Sequence, residues 1–273
     1  MKRSWYAAPY GLWMVLFTVV PLLFVLYYAF TDQSGAFTVS NFVKVASPMY
    51  GLVLWDSLRL AFFCTLLCLL IGYPTAYFLA SRDFSNAQTL VVLILVPMWM
   101  NFLLRTIALM SLMEDGGLLN TFFEWIGIGR QKLLNNIPAV QVGMIYNFLP
   151  FMVFPIYNVL NKMDYKLSEA AMDLGCNKWQ VFYKVTLPLS VPGVVSGITM
   201  VFMPAVTTFY ISRLLGGGKV QLFGDLIEAK FLSTSLNEWN VGSALSLVMM
   251  ILILLSLGLL NKVDPDNEGG GMV

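Results

Sequence analysis

The chain has 273 residues, 58% of them hydrophobic and only 11% charged, with a formal net charge of +1 and no histidine. A soluble domain carries roughly 25% charged residues, so a soluble core of this size could not shield so much apolar surface, and the solvent must be lipid. Nothing in the charge favours nucleic-acid binding, the missing histidines remove the commonest general base and metal ligand, and Cys64, Cys68 and Cys176 form no metal or redox motif.

The chain opens Met1-Lys2-Arg3 and then runs apolar from Ala7 to Phe30. A secretory signal has an apolar core of about 7–15 residues and a small-residue cleavage site. This run is longer and more aromatic, so it reads as a retained first span. Apolar runs of spanning length lie at 8–30, 57–80, 88–113, 138–161, 187–212 and 242–261. Each reaches the roughly 20 residues needed to cross about 30 Å of hydrocarbon. A barrel would instead show alternating segments of about ten residues. The expectation is an all-α integral membrane protein with six transmembrane helices.

Within the second run, Cys64 and Cys68 lie one helical turn apart and read as packing residues rather than ligands. Pro97 interrupts the third run, Pro150 and Pro155 the fourth, and Pro188, Pro192 and Pro204 the fifth. Neighbouring helices or a water-filled cavity must satisfy the backbone groups they free. They mark either simple kinks or spans that line a pathway. Arg105, inside the third run, reads as a structural charge that snorkels or pairs with Glu114 or Asp115. Residues 1–263 form one transmembrane domain with no soluble domain and no internal repeat, followed by a short, polar, disordered tail at 264–273.

Basic residues near span ends set orientation. With the amino terminus in the cytoplasm, Lys2, Arg3, Arg82, Lys162, Lys166, Lys178, Lys184 and Lys262 fall inside. Lys44, Arg59, Arg130, Lys132, Arg213, Lys219 and Lys230 fall outside. The totals are nearly even, so the clusters decide. One precedes the first span and one fills the 162–186 loop, and both fall on the same side. Trp55, Trp125 and Trp239 then form an outer interfacial belt. Both termini are expected in the cytoplasm.

The 162–186 loop is polar between two apolar runs. Leu167, Ala170, Ala171 and Leu174 recur at helical spacing on one face. Asp164 can cap the start, and Gly175 can take the left-handed conformation that ends it. A second short helix is expected from Asn177, with Gln180 as its capping-box partner and Trp179, Phe182, Tyr183 and Thr186 on one face. Leu187-Pro188 then opens the fifth span. Periodicity alone leaves open whether this loop lies on the membrane surface or docks to a protein.

The spacing within the loop is more specific. Glu169-Ala170-Ala171, three residues, Gly175, nine residues, and then Val185-Thr186-Leu187-Pro188 resembles the EAA loop of membrane subunits in binding-protein-dependent ABC importers. That pattern is written E-A-A-x3-G-x9-I-x-L-P, and the one departure is Val185 for Ile. The stretches "VPMWMNFLLRTIALMSLMEDGGLLN" (96–120), "YNFLPFMVFPIYNVLNKMD" (146–164) and "PLSVPGVVSGITMVFMPAVTTFYISRLLGG" (188–217) look like the permeases of spermidine/putrescine importers, their B subunits in particular. This similarity extends over about residues 9–261.

The resemblance implies a type I importer permease fold paired with a second related permease. It implies that the loop at about 164–188 forms coupling helices seated on a cytoplasmic ATPase homodimer, with Glu169, Ala170, Ala171, Gly175, Leu187 and Pro188 as its motif residues. It further implies an extracytoplasmic substrate-binding protein, a polyamine cargo, surrounding membrane lipid, and the inner membrane of a prokaryote.

"GGGK" at 216–219 mimics a phosphate-binding loop. However, Lys219 is followed by Val220, and Arg213 stands where the first glycine should be. ATP and Mg are therefore expected on the partner ATPase, with no catalytic, cofactor or metal residues on this chain. A polyamine path needs carboxylates for ammonium groups and aromatic faces for cation–π contact. The candidates are Glu114, Asp115, Asp225, Glu228 and Glu238, with Thr207, Thr208, Phe209 and Tyr210 just past Pro204. The plainer alternatives are solvated loop charges and ordinary helix packing. One rival function is an importer permease for another small solute. Another is an ATP-independent secondary transporter or channel, which leaves the EAA spacing unexplained and lacks an intramembrane acid relay. An intramembrane enzyme would need machinery that is not evident here.

Overall fold

The structure, a computed structural model, describes residues 8–81 and 87–261. Lys2, Arg3, Arg82, Lys262 and the 264–273 tail lie outside the described residues. α1 joins Ala8–Met14 through a π turn at Val15–Val19 to Val20–Ala29. α2 (Ser40–Val45) and α3 (Pro48–Leu79) follow, then α4 (Ala87–Trp99), α5 (Phe102–Met113) and α6 (Leu118–Trp125). α7 is Ile137–Lys162, and the loop after it holds α8 (Lys166–Asp173) and α9 (Lys178–Val181). α10 (Leu187–Thr207), α11 (Tyr210–Gly216), α12 (Phe223–Leu232) and α13 (Leu236–Asn261) complete the bundle. Among the described residues, the only β feature is an isolated bridge between Thr31 and Phe37.

Five helices are long and apolar enough to cross a membrane, or six when one bent pair counts as a single span. That pair is the third run, expected as one helix over 88–113. The chain instead turns by 98° between Thr89–Trp99 and Phe102–Trp125. Pro97 carries no amide hydrogen and weakens the end of α4. Asn101 then restarts the helix, its side-chain oxygen accepting from the Leu103 and Leu104 amides at 2.8 and 3.4 Å. The fifth run is also interrupted. Expected to continue to 212, it stops at Thr207, passes Thr208 and Phe209 in extended and irregular backbone, and resumes as α11.

Proline does not break every helix. α3 holds Pro74, and α7 holds Pro150 and Pro155, without interruption. α1 and α10 share another device. In each, a π turn stands just before an X-Pro pair, with the Val20 amide donating to Val15 and the Leu187 amide to Phe182. The wider turn removes the carbonyl that the ring of Pro21 or Pro188 would otherwise strike.

α7 is the central helix. It packs on α3, α10, α11 and α5, and Met144, Met152 and Ile156 are fully buried. Lipid supplies little hydrophobic drive between helices, so close packing depends on small residues. Gly193 and Gly197 form a G-x3-G pair on α10 that faces α7. A β-carbon at Gly193 would lie 3.0 Å from both the Ile156 Cα and the Pro155 carbonyl oxygen. Met152 is wedged between Gly72 of α3 and Gly197 of α10, where added β-carbons would meet its side chain at 2.9 and 2.7 Å. The apolar pattern of the sequence gives no hint of this seam. Cys64 and Cys68 are both free and fully buried.

Contacts distinguish the two ends of the bundle. At one, Lys44 donates to Asn237 (3.1 Å), the Phe223 amide to the Ser57 hydroxyl (2.7 Å), and the Asn135 amide to the Leu215 carbonyl (2.8 Å). Trp55, Trp125 and Trp239 are exposed there. The 163–186 loop occupies the opposite end, where Phe182 packs on Tyr73 and Tyr77 of α3.

Candidate functional site

The loop is a folded unit. The Asp164 carboxylate accepts from the Lys166 amide at 3.0 Å and starts α8. α8 ends with the Gly175 amide bonded to the Met172 carbonyl (2.9 Å) and the Cys176 amide to the Ala171 carbonyl (3.1 Å). This pair is a Schellman closure, and it requires the left-handed backbone that Gly175 adopts at φ +87°. Asn177 and Gln180 then cap α9 reciprocally, each side-chain oxygen accepting from the other's amide at 2.9 Å.

Asp164, Gly175 and the Asn177–Gln180 box therefore act as the spacing predicts. One expectation changes, because α9 is not a separate short helix. The π turn Phe182–Thr186 carries it directly into α10, so Lys178–Thr207 is one rod of 30 residues. Leu187 and Pro188 sit inside this rod rather than at its start.

Phe182 packs on α3 and Val181 and Thr186 turn inward, but most of the loop's apolar side chains stay outside the bundle. Leu174 is 87% exposed and Trp179 80%, with Leu167, Met172 and Tyr183 exposed beside them. Glu169 and Ala170 are exposed and Ala171 is half-buried. Only Ser168, Val181 and Thr186 of this loop turn fully inward. The surface left open is apolar at its centre, with Lys166, Glu169, Lys178 and Lys184 among its charged residues.

At the opposite end, the path candidates divide. Glu114 and Asp115 are exposed where α5 ends, and the Glu114 carbonyl accepts from the buried Asn120 side chain at 3.2 Å. Asp225 is only 9% exposed, and its carboxylate accepts from the Ser212 hydroxyl and the Leu222 amide, each at 2.7 Å. Burial pushes its carboxyl above the ordinary value, opposed by those two donors and by Arg213. Glu228 is paired with Arg213 at 2.5 Å. These two acids thus fasten α12 to α11. Thr207 and Tyr210 are exposed at the break after α10, Thr208 is buried, and the Phe209 and Tyr210 rings lie 4.3 Å apart. Gly224 closes on this break, since a β-carbon there would stand 2.6 and 2.7 Å from the Thr207 and Thr208 carbonyls.

Arg105 neither snorkels nor pairs with Glu114 or Asp115. It is 4% exposed, donates to the Pro97 carbonyl at 3.0 Å, and lies 5.9 Å from both the Phe102 and Tyr146 ring centres. Nearby, the buried Asn147 side chain donates to the Gly143 carbonyl (2.9 Å) and to the Thr106 hydroxyl (3.3 Å). The Asn101 cap was legible as an asparagine before an apolar run. The Asn147 contact carried no local signal, because its partner is 41 residues away.

Among the described residues, no group of three or more His, Cys, Asp or Glu side chains could hold a metal ion. Residues 69–267 match the family described as binding-protein-dependent transport system inner membrane component. The chain is 37% identical over 251 residues to the spermidine/putrescine transport system permease protein PotB of Haemophilus influenzae, covering 89% of this chain and 87% of that protein. Against PotB of Escherichia coli it is 37% identical over 253 residues, covering 90% and 91%. Identity falls to 23% over 266 residues for the inner membrane ABC transporter permease protein YdcU of Escherichia coli, covering 90% and 83%. Among solved structures, a chain of a bacterial ABC transporter involved in import of the acidic polysaccharide alginate superposes with a TM-score of 0.74. The match covers 96% of this chain and 97% of that one at 18% identity, a likeness of fold alone.

Proposed function

The chain belongs to the family of binding-protein-dependent transport system inner membrane components, and from that premise we propose that it is the permease subunit of an ABC importer for spermidine or putrescine. The observation that carries the importer reading is the loop at 164–188. A Schellman turn and a capping box hold two helices in fixed relation, yet Leu167, Met172, Leu174, Trp179 and Tyr183 stand exposed outside the bundle. A face with Leu174 and Trp179 so exposed suits a protein cleft. On this reading the occupant is a cytoplasmic ATPase homodimer, which binds the ATP and Mg and places the loop and both termini in the cytoplasm.

The cargo follows from the relatives. Identity of 37% over nine-tenths of the chain to spermidine/putrescine permeases, against 23% to YdcU, favours a polyamine over another small solute. A substrate-binding protein delivers it on the outer side, and a second related permease completes the path. Glu114 and Asp115 are the carboxylates best placed to receive an ammonium group, because both face solvent. Tyr210 and Phe209 offer aromatic faces at the α10 break. Asp225 and Glu228 support this region through their contacts with α11 rather than by meeting the cargo.

Alternating access then follows from the parts. Closure of the ATPase dimer displaces the loop, and the bundle rocks between outward- and inward-open states. The test is uptake of labelled spermidine by proteoliposomes holding the permease pair, the ATPase and the binding protein. ATP-dependent accumulation of spermidine or putrescine is expected. Robust uptake of an anion or sugar instead would end the polyamine reading and spare the importer one.

A further inference from the structure

At the loop end of the bundle, one side chain of α3 touches both sides of the junction between α9 and α10. The Tyr73 hydroxyl shares a hydrogen bond of 2.8 Å with the hydroxyl of Ser190, a fully buried residue at the start of α10. The Tyr73 ring also stands edge-on to Phe182, with centroids 6.0 Å apart and planes at 86°. Tyr77, one turn further along α3, meets Phe182 at 5.4 Å and 87°. From the loop side Trp179 adds a third perpendicular contact, at 6.4 Å.

Phe182 is therefore gripped on three sides, and it sits at the first position of the π turn that joins the loop to α10. Edge-to-face contacts between aromatic rings are directional. A displacement of Trp179 presses on Phe182, and Phe182 in turn bears on the tyrosines of α3. α8 itself packs on α9 and on the π turn, so a push on either helix of the loop reaches this cluster. The Tyr73–Ser190 hydrogen bond meanwhile ties α3 to α10 just beyond the junction.

We propose that Tyr73 and Phe182 are positioning residues that make α3 a direct receiver of the loop's motion, so that α3 and α10 move as a pair. The proposal rests on the importer reading, since an ATPase must displace the loop. It goes beyond that reading by naming which span receives the stroke and through which side chains. It does not depend on the identity of the cargo.

The experiment uses the whole reconstituted complex, with spin labels on Ser81→Cys and Lys162→Cys near the loop ends of α3 and α7, and with Cys176→Ala. MgATP with vanadate should change the label separation in the parent. Phe182→Ala and Tyr73→Leu should abolish that change while ATP hydrolysis continues, and should lower cargo moved per ATP by about tenfold, within the range of ordinary coupling energies. Tyr73→Phe, which keeps the ring and loses only the hydroxyl, should retain part of the change. The double variant should be no worse than either single one, as expected for residues acting as a unit. An unchanged separation shift in Phe182→Ala and Tyr73→Leu, or independent additive effects, would overturn the proposal. Loss of ATPase binding in both would assign the cluster to docking and overturn it too. A parent complex that binds its ATPase but shows no ATP-dependent shift would count against the importer reading itself.

Discussion

Arg105 of α5 reaches back across the break in the third span and donates from Nη1 to the carbonyl of Pro97 in α4, 3.0 Å away. Its cation lies at the carbonyl end of a helix, where positive charge is favoured. Arg105→Met should cost about 1.5–3 kcal/mol, the usual value of a hydrogen bond to a charged group. Arg105→Lys should recover only part, because an ammonium cannot stack its plane on Phe102 and Tyr146 as a guanidinium does. Thermal unfolding in detergent should rank the chain above the Lys variant and the Lys variant above the Met variant. Equal stability of all three would remove the clasp.

Gly175 sits at φ +87°, and nothing lies within 4 Å of the position a β-carbon would take there. Substitution is therefore penalised by the backbone and not by a clash, at about 1–2 kcal/mol for an L-residue. Asn tolerates this conformation better than Ala, and Ala better than branched Val. Co-purification of the ATPase should fall in the order Gly, Asn, Ala, Val, with membrane insertion unaffected. Undiminished association in Gly175→Val would show that the angle between α8 and α9 is immaterial.

The glycines of the helices are not equivalent. Gly193→Ala drives a methyl group against the backbone of Ile156 and Pro155, and overpacking of this kind costs typically about 1–3 kcal/mol. Gly51→Ala, on α3 with nothing within 4 Å, should be neutral or stabilising by up to about 1 kcal/mol. The melting temperature should fall in Gly193→Ala and stay level or rise in Gly51→Ala, two changes that are identical on paper.

Asp225 and the pair Glu114/Asp115 should behave differently. Asp225→Ala leaves the Leu222 amide without its acceptor, at about 1–3 kcal/mol, while the Ser212 hydroxyl keeps the Phe209 carbonyl at 2.8 Å. Asp225→Asn keeps an acceptor oxygen and should fold and transport nearly normally. Glu114→Gln with Asp115→Asn should reduce spermidine uptake without loss of stability. The pH dependence has a definite sign. Burial raises the Asp225 carboxyl above its ordinary 3.8, so the folded chain holds this proton more tightly than the unfolded one. Its ionisation therefore lowers stability as pH rises from the unfolded value through the folded one. Asp225→Asn should flatten that part of the stability profile.

Orientation is open to direct labelling. Cys64 and Cys68 are buried, and Cys176 is partly exposed on the loop. A membrane-impermeant thiol reagent should modify Cys176 only from the cytoplasmic side of permease freed of its ATPase. Labelling from outside in intact cells would invert the topology.

The loop was largely legible because each of its signals is local. Asp164, Gly175, Asn177 and Gln180 act on amides within a few residues of themselves, and the backbone obeyed them. What the apolar pattern hid was discontinuity. A run of Leu, Val, Phe and Met looks the same whether one helix or two cross it, so Pro97 and Asn101 had to be read together to find the break. Asp225 and Glu228 looked like free outer acids because their partners, Ser212 and Arg213, lie on another helix. The seam of Gly193, Gly197 and Gly72 around Met152 depends on three helices meeting, which no window of sequence displays.

The continuity of α9 with α10 changes the mechanics of the loop. Between Asp164 and the interior of the bundle the chain turns once, at Gly175, where the Schellman closure and the capping box fix α8 against α9. Beyond that turn the chain is a shaft of 30 residues, about 45 Å at 1.5 Å per residue. A rod of that length carries a small tilt to both ends, since about 5° about a point near its middle displaces each end by about 2 Å. Pivoted at the Gly193–Pro155 contact, such a beam would swing its far end, where Thr207 and Thr208 meet Gly224, in the direction opposite to its near end.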